Sequence, residues 1–246
     1  MKYDQDTDRD PVIRDYSKKR TPHIHSFLRN LSRNRICRPD CVETVQDFIM
    51  ILGLTGAFGG GKSTVIEYFK NHSWYTFDAD RACHALYSAG HPELIAKVKE
   101  LFGSNAVVNG SQIDRSVIAA SAFAHPEKMK ALTAVLYPLL EKQMSQEISR
   151  CRTEGVSGIF ELPLLYEAHY EHLFDAVLTI WTDPELRSQR LANRNFSPED
   201  MKKRDARQLD PVLKLEYADY AVINNGSPEF LHRQLGELIN EFEAKK

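Results

Sequence analysis

GLTGAFGGGKST, running from Gly53 to Thr64, decides how the rest of this 246-residue chain is read. Five glycines gather around a single lysine. The apolar run IMILGLT (Ile49–Thr55) leads into them, as a strand buried on both faces of a parallel sheet requires. A helix-like stretch, Lys62 to Asn71, follows. Within the motif, Gly56-x-x-x-x-Gly61-Lys62-Ser63 fits the phosphate-loop pattern. Glycines let the backbone adopt positive φ and bring successive N–H groups onto one anion. A helix starting near Lys62 points its partial positive charge at the same place. Lys62 supplies a mobile cation for outer phosphates, and Ser63 a hydroxyl for Mg²⁺. Gly56, Ala57, Phe58, Gly59, Gly60, Gly61, Lys62, Ser63 and Thr64 are therefore the candidate nucleotide-binding residues. Ser63 is the candidate metal ligand, and ATP with Mg²⁺ the implied occupant.

Working outward, the pattern alternates strands with helices, which implies an α/β fold: a parallel sheet flanked by helices. WYTFDAD (Trp74–Asp80) reads as a second strand ending in carboxylates. Asp80–Leu86 and Pro92–Phe102 read as helices, and Asn109-Gly110 as a turn. Helical patterns run from about Asp114 to Thr153, with interruptions expected near Pro126 and Pro138. VSGIFELPLL (Val156–Leu165) and DAVLTIWT (Asp175–Thr182) are further strand candidates, followed by a charged helical stretch, Pro184–Leu209. YAVIN (Tyr220–Asn224) reads as the last strand. The closing helix has Ser227 as N-cap and Pro228 at its first position, with Phe230, Leu231, Leu235 and Leu238 at helical spacing.

Residues 1–48 differ in character. Asp4, Asp6, Asp8 and Asp10 give way to a basic stretch with no strand or helical period, which predicts a poorly ordered basic extension. A zinc site from His23, His25, Cys37 and Cys41 matches no common spacing. The arm reads as a dispensable extension, and Met50 offers an alternative start. The composition is that of a soluble globular protein, 42% hydrophobic and 27% charged. A formal net charge of −2 predicts neither a nucleic-acid nor a membrane partner. No apolar stretch approaches the roughly 20 residues a bilayer demands. Cys37, Cys41, Cys83 and Cys151 are too few and too scattered for a disulfide framework, which fits a reduced, cytoplasmic setting.

Asp78 and Asp80 fall at the carboxyl end of the second strand, where α/β sheets bind ligands. A carboxylate there can take a hydroxyl proton from an acceptor or help hold Mg²⁺; Asp80 could equally cap the next helix. His84 lies four residues on, on the same helical face.

GLTGAFGGGKST, DADRACH, ELPLLYE (Glu161–Glu167), an arginine-rich segment and KLEYADYAVINNG, in that order, resemble the dephospho-CoA kinase family. The resemblance covers about Met50 to Glu243. It implies transfer of the ATP γ-phosphate to the ribose 3′-hydroxyl of dephospho-CoA, the last step of coenzyme A biosynthesis, with Asp80 as general base. It further implies a domain over 49–246. Its core is 49–80 and 155–246, with a helical substrate insertion at about 81–152 and a lid at about 186–210. Asp78, Asp80, His84, Arg115, Tyr137, Pro138 and Leu164 become candidate substrate residues. Relatives often carry His before the proline at 138 and Asp in place of Glu161.

Arg187, Arg190 and Arg194 fall at i, i+3 and i+7, which predicts one helix face. A solvated charged face explains such a run; the resemblance favours a lid whose guanidiniums close over phosphates. Arg190 and Arg194 join Asp80 and Lys62 as catalytic candidates, with Arg204 and Gln208 in the lid's second helix. Asn224, at the end of the last strand, is the candidate adenine contact. Two alternatives remain: another P-loop small-metabolite or nucleoside kinase, and a nucleotide-binding regulatory protein.

Overall fold

A computed structural model of the chain describes residues 49–122 and 125–244. The basic arm and its two histidines and two cysteines lie outside the described residues. The apolar run becomes β1 (Ile51–Gly56), buried along its whole length. Four strands join it: β2 (Tyr75–Asp78), β5 (Gly158–Glu161), β6 (Ala176–Trp181) and β7 (Tyr220–Ile223). Their order is β2-β5-β1-β6-β7, every neighbouring pair parallel, with β1 at the centre. Register places Asp78 and Leu54 both opposite Glu161, so β2 and β5 end together and β1 runs on to Gly56, into the phosphate loop.

Helix α1 (Lys62–Asn71) and the closing helix α9 (Pro228–Glu243) cover one side of the core. Val65, Phe69, Leu231, Leu235, Ile239 and Phe242 join Leu52, Leu54, Ile159 and Leu178 in one cluster. Ser227 caps α9 by accepting from the Phe230 N–H, as its sequence predicts. Phe230 itself stays exposed rather than joining the core. At the outer edge of β7, the Gln234 amide accepts from the Ile223 N–H and donates to the Ile223 carbonyl. A side chain thus stands in for the missing neighbour strand.

Between β2 and β5 the chain forms α2 (Ala79–Ser88), α3 (Pro92–Phe102), a hairpin, α4 (Arg115–Ala122) and α5 (Pro126–Glu154). The Asn109-Gly110 turn, both residues at positive φ, joins two short strands, β3 (Val107–Val108) and β4 (Gln112–Ile113), that the sequence pattern did not reveal. Two residues per strand are too few to show an alternation. The interruption expected at Pro138 does not occur: α5 runs unbroken for 29 residues. A mid-helix proline removes one backbone bond and costs about 3 kcal/mol. Here Leu132, Leu136, Leu140, Met144, Ile148 and Cys151 bury one face on both sides of it, while Pro138 faces outward. The packed face outweighs the lost bond.

The charged stretch after β6 holds two helices, as expected of the lid, but Gln208 falls past the end of the second. It forms α6 (Pro184–Ala192) and α7 (Pro198–Asp205), with α8 (Pro211–Tyr217) leading back to β7. Each starts with a capping oxygen followed by proline: Asp183, Ser197 and Asp210 accept from the first turn. Among the described residues, no helix is long and apolar enough to cross a membrane.

Candidate active site

Gly61 takes φ 102° and stands as N-cap of α1. A Cβ there would run into the Asn224 amide, so the position admits only glycine. Asn224 donates through Nδ2 to the Gly60 carbonyl at 3.0 Å, and Thr182 Oγ1 donates to the same oxygen at 2.7 Å. The loop is thereby fastened to the ends of β6 and β7. Among the described residues, the N–H groups of Gly59, Gly61, Lys62 and Ser63 make no hydrogen bond to protein. Four unpaired donors at the start of a ten-residue helix form an anion site. Lys62 is buried beside them, its Nζ donating to the carbonyls of Gly56 (3.1 Å) and Ala57 (3.2 Å). Burial lowers its pKa, against the opposing pull of the Glu161 and Asp80 charges.

A cavity of about 390 Å³ opens beside this loop. Phe58, Gly59, Gly61, Lys62 and Ser63 form one wall; Asp80, Glu161, Pro163 and Leu164 form another. Arg194, Phe196, Arg204, Arg207 and Gln208 come from the segment after β6. Asp80 lies in the first turn of α2, open to water in the cleft. Protein crowding and the Asp78 charge push its pKa up; Lys62, His84 and Arg204 pull it back. Burial likewise raises Glu161, with Lys62 opposing. The cavity therefore pairs two carboxylates with one ammonium and three guanidiniums.

Several expected residues land elsewhere. The helix cap belongs to Asp78, whose Oδ1 accepts from the Arg81 N–H at 2.9 Å; Asp80 is left free of that duty. Asp78 does not line the cavity. The common face expected for Arg187, Arg190 and Arg194 is absent, because α6 stops at Ala192 and Arg194 sits on the following turn. Arg194 lines the cavity and Arg190 does not: its Nη1 donates to the Asn224 carbonyl at 2.9 Å. Asn224 is buried, holds the Gly60 carbonyl through Nδ2 and does not line the cavity. Arg207, Phe196 and Pro163 escaped sequence reading. Arg207 had a usable signal, three residues after Arg204 on a helix expected to carry lid arginines.

The candidates from the α2–α5 region, His84, Arg115, Tyr137 and Pro138, do not line the cavity. Burial raises the Tyr137 pKa, and the Cys83, Glu167 and Asp80 charges push it the same way. Its carbonyl accepts from the Tyr170 hydroxyl at 2.9 Å. Arg115, exposed at the start of α4, lies within electrostatic reach of Cys83 and Tyr87. His84 is exposed on α2 and Pro138 on α5.

The dephospho-CoA kinase family model matches residues 50–229. The chain belongs to the dephospho-CoA kinase family. It is 33% identical over 197 residues to the dephospho-CoA kinase of Enterococcus faecalis, covering 80% of this chain and 98% of that one. It is 31% identical over 196 residues to the Corynebacterium glutamicum enzyme, covering 79% and 98%. The solved dephospho-CoA kinase of Campylobacter jejuni superposes with a TM-score of 0.63 at 25% identity, over 79% of this chain and 98% of that one. A Thermus thermophilus structure gives 0.66 at 32% identity, over 78% and 97%.

Family membership makes this an ATP-dependent kinase of coenzyme A biosynthesis, with the P-loop fold its sheet order displays. The side chains present also suit Mg²⁺. Ser63, Asp80 and Glu161 bring hard oxygen donors to one cavity. Mg²⁺ keeps several waters and takes one or two carboxylates alongside substrate phosphates.

Proposed function

We propose that this chain transfers the γ-phosphate of ATP to the ribose 3′-hydroxyl of dephospho-CoA, with the cavity beside the phosphate loop as the reaction centre. One observation carries the assignment: Asp80 and Lys62 approach the same cavity, the carboxylate from α2 and the ammonium from the helix that the loop opens. The free amides of Gly59 to Ser63 grip the phosphates, and Lys62 turns from the loop carbonyls to the outer phosphate oxygens. Asp80 orients the acceptor hydroxyl and accepts its proton. Arg194, Arg204 and Arg207 face the charge in transit. Phosphoryl transfer passes through a loose transition state, so positioning and electrostatics supply most of the rate. Ser63, with Glu161 or Asp80, would hold Mg²⁺, which would supply positive charge against the phosphates. Tyr137, Arg115 and His84 guide the acceptor from the α2–α5 side, and the setting is cytoplasmic.

The test is direct. Purified protein with ATP, Mg²⁺ and dephospho-CoA should yield CoA and ADP, followed by mass. Absence of CoA with that acceptor, but ADP release with another, would reassign the substrate. A chain starting at Met50 should be as active as the full one, which tests the basic arm.

A further inference from the structure

Arg187 is buried, yet it does not line the cavity. Its Nη1 and Nη2 donate to Asp205 Oδ1 and Oδ2 at 2.8 and 2.7 Å, and Nη1 also reaches the Phe58 carbonyl at 3.4 Å. One guanidinium on α6 therefore touches both the last turn of α7 and the phosphate loop. Asp205 follows Arg204 directly and precedes Arg207 by two residues, so its position sets theirs. Arg204 in turn lies over the Phe58 ring, 4.2 Å from its centroid, and Phe196 meets the same ring edge-on at 5.1 Å. Arg190 on α6 also holds the Asn224 carbonyl, while Gln208 to the Pro163 carbonyl and the Leu209 N–H to Glu167 hold the segment's far end, so none of these ties α7 itself to the loop.

We propose that the Arg187–Asp205 pair is a positioning strut that registers the cavity-facing arginines of α7 against the phosphate loop. Arg187 is then a positioning residue, acting through Asp205 and never touching phosphate. A fork with two parallel bonds fixes orientation as well as distance, which a lysine cannot do. Loss of register leaves nucleotide binding largely in place, since the loop amides do that work. It removes charge stabilisation from the transfer step and lets water compete with the acceptor.

The proposal rests on the kinase reading, but one arm of its test does not. In Arg187→Lys, hydrogen exchange of the amides of residues 193–208 should quicken at least several-fold, while β1 and α1 exchange as before. In the assay with dephospho-CoA, kcat should fall about tenfold with the KM for ATP within threefold, and ATP consumed per CoA formed should rise. Asp205→Asn, at a partly exposed carboxylate, should reproduce both effects and carries the test alone if Arg187→Lys does not fold. Arg187→Lys/Asp205→Asn should be no worse than the poorer single variant, because both act through one contact. Unchanged exchange in 193–208, an unchanged ATP-to-CoA ratio, or losses that multiply in the double variant would each overturn it. A wild-type chain inactive on dephospho-CoA would sink the acceptor assignment instead, and leave the exchange result to decide the strut.

Discussion

The phosphate loop and the arginine segment face one cavity, but different kinds of contact place them there. The loop's working groups are backbone amides within a dozen contiguous residues. Glycine geometry at Gly61 and the start of α1 set their directions. The arginine segment uses side chains from a turn and the end of α7, and holds them by links far apart in sequence: Arg187 to Phe58, Gln208 to Pro163, Lys214 to Pro163. A contiguous motif can therefore be read residue by residue, whereas a segment fastened by long-range pairs can be read only as a composition. The difference also predicts where mutations act. Changes in the loop should strike catalysis itself, and changes in the segment should act through its attachment.

The largest effect should come from the loop. Lys62→Ala removes the ammonium closest to the outer phosphates and should lower kcat by about 10³-fold, or about 4 kcal/mol. Thermal stability should hold or rise, because a buried, desolvated cation is removed. A turnover within tenfold of wild type would break the claim that the loop carries the chemistry.

Next comes the far anchor of the lid. Lys214 on α8 is fully buried; Nζ donates to the Pro163 carbonyl at 2.7 Å and pairs with Glu167 at 3.0 Å. Lys214→Met leaves Glu167 without its cation and should cost about 3 kcal/mol, measured by urea denaturation. Lys214→Met combined with Glu167→Leu should recover much of that, since replacing both partners leaves no uncompensated charge. If the double variant were as unstable as the single, the pair would not be the anchor.

Legibility follows the same division. Strand β1, the helix α1 and the α9 cap could be read because each rests on local rules: an apolar run, a glycine loop, a Ser-Pro start. Lys214 could not, although a lysine inside PVLKLEY is an anomaly worth noticing. Periodicity says that a residue is buried but not what waits for it. Pro138 misled for the complementary reason: a local rule forecast a break, and a continuous packed face on α5 overrode it. Asp78 and Asp80 both fall where β2 gives way to α2, but which one caps the helix depends on where β2 ends, a boundary set by pairing with β5.

Asp80→Asn should lower turnover by about 10²-fold, the low end for a general base, because a loose transition state leaves the acceptor proton in place until late. The pH profile sharpens the assignment. Crowding raises the Asp80 pKa, so the base is ionised above that raised value and activity falls as pH drops through it. Lys62 is shifted the other way, so its charge is lost as pH rises through a value below the ordinary lysine range. The plot of kcat/KM should be a bell, its acid limb above the usual aspartate position. An acid limb at or below the usual carboxylate value would remove Asp80 from the role of base.

The smallest effects separate two arginines that sequence grouped together. Arg194 lines the cavity from a turn; Arg190 donates to the Asn224 carbonyl, behind the loop. Arg194→Met should lower kcat about tenfold, since Arg204 and Arg207 share the charge it offers. Arg190→Met removes a support of Asn224, which itself holds Gly60, so the loop's grip on phosphate should loosen first. Its signature is a KM for ATP raised about threefold, a change that removes binding common to ground and transition states. If the two variants showed the same kinetic signature, the arginines would share one role, and the helix-face reading would be right after all.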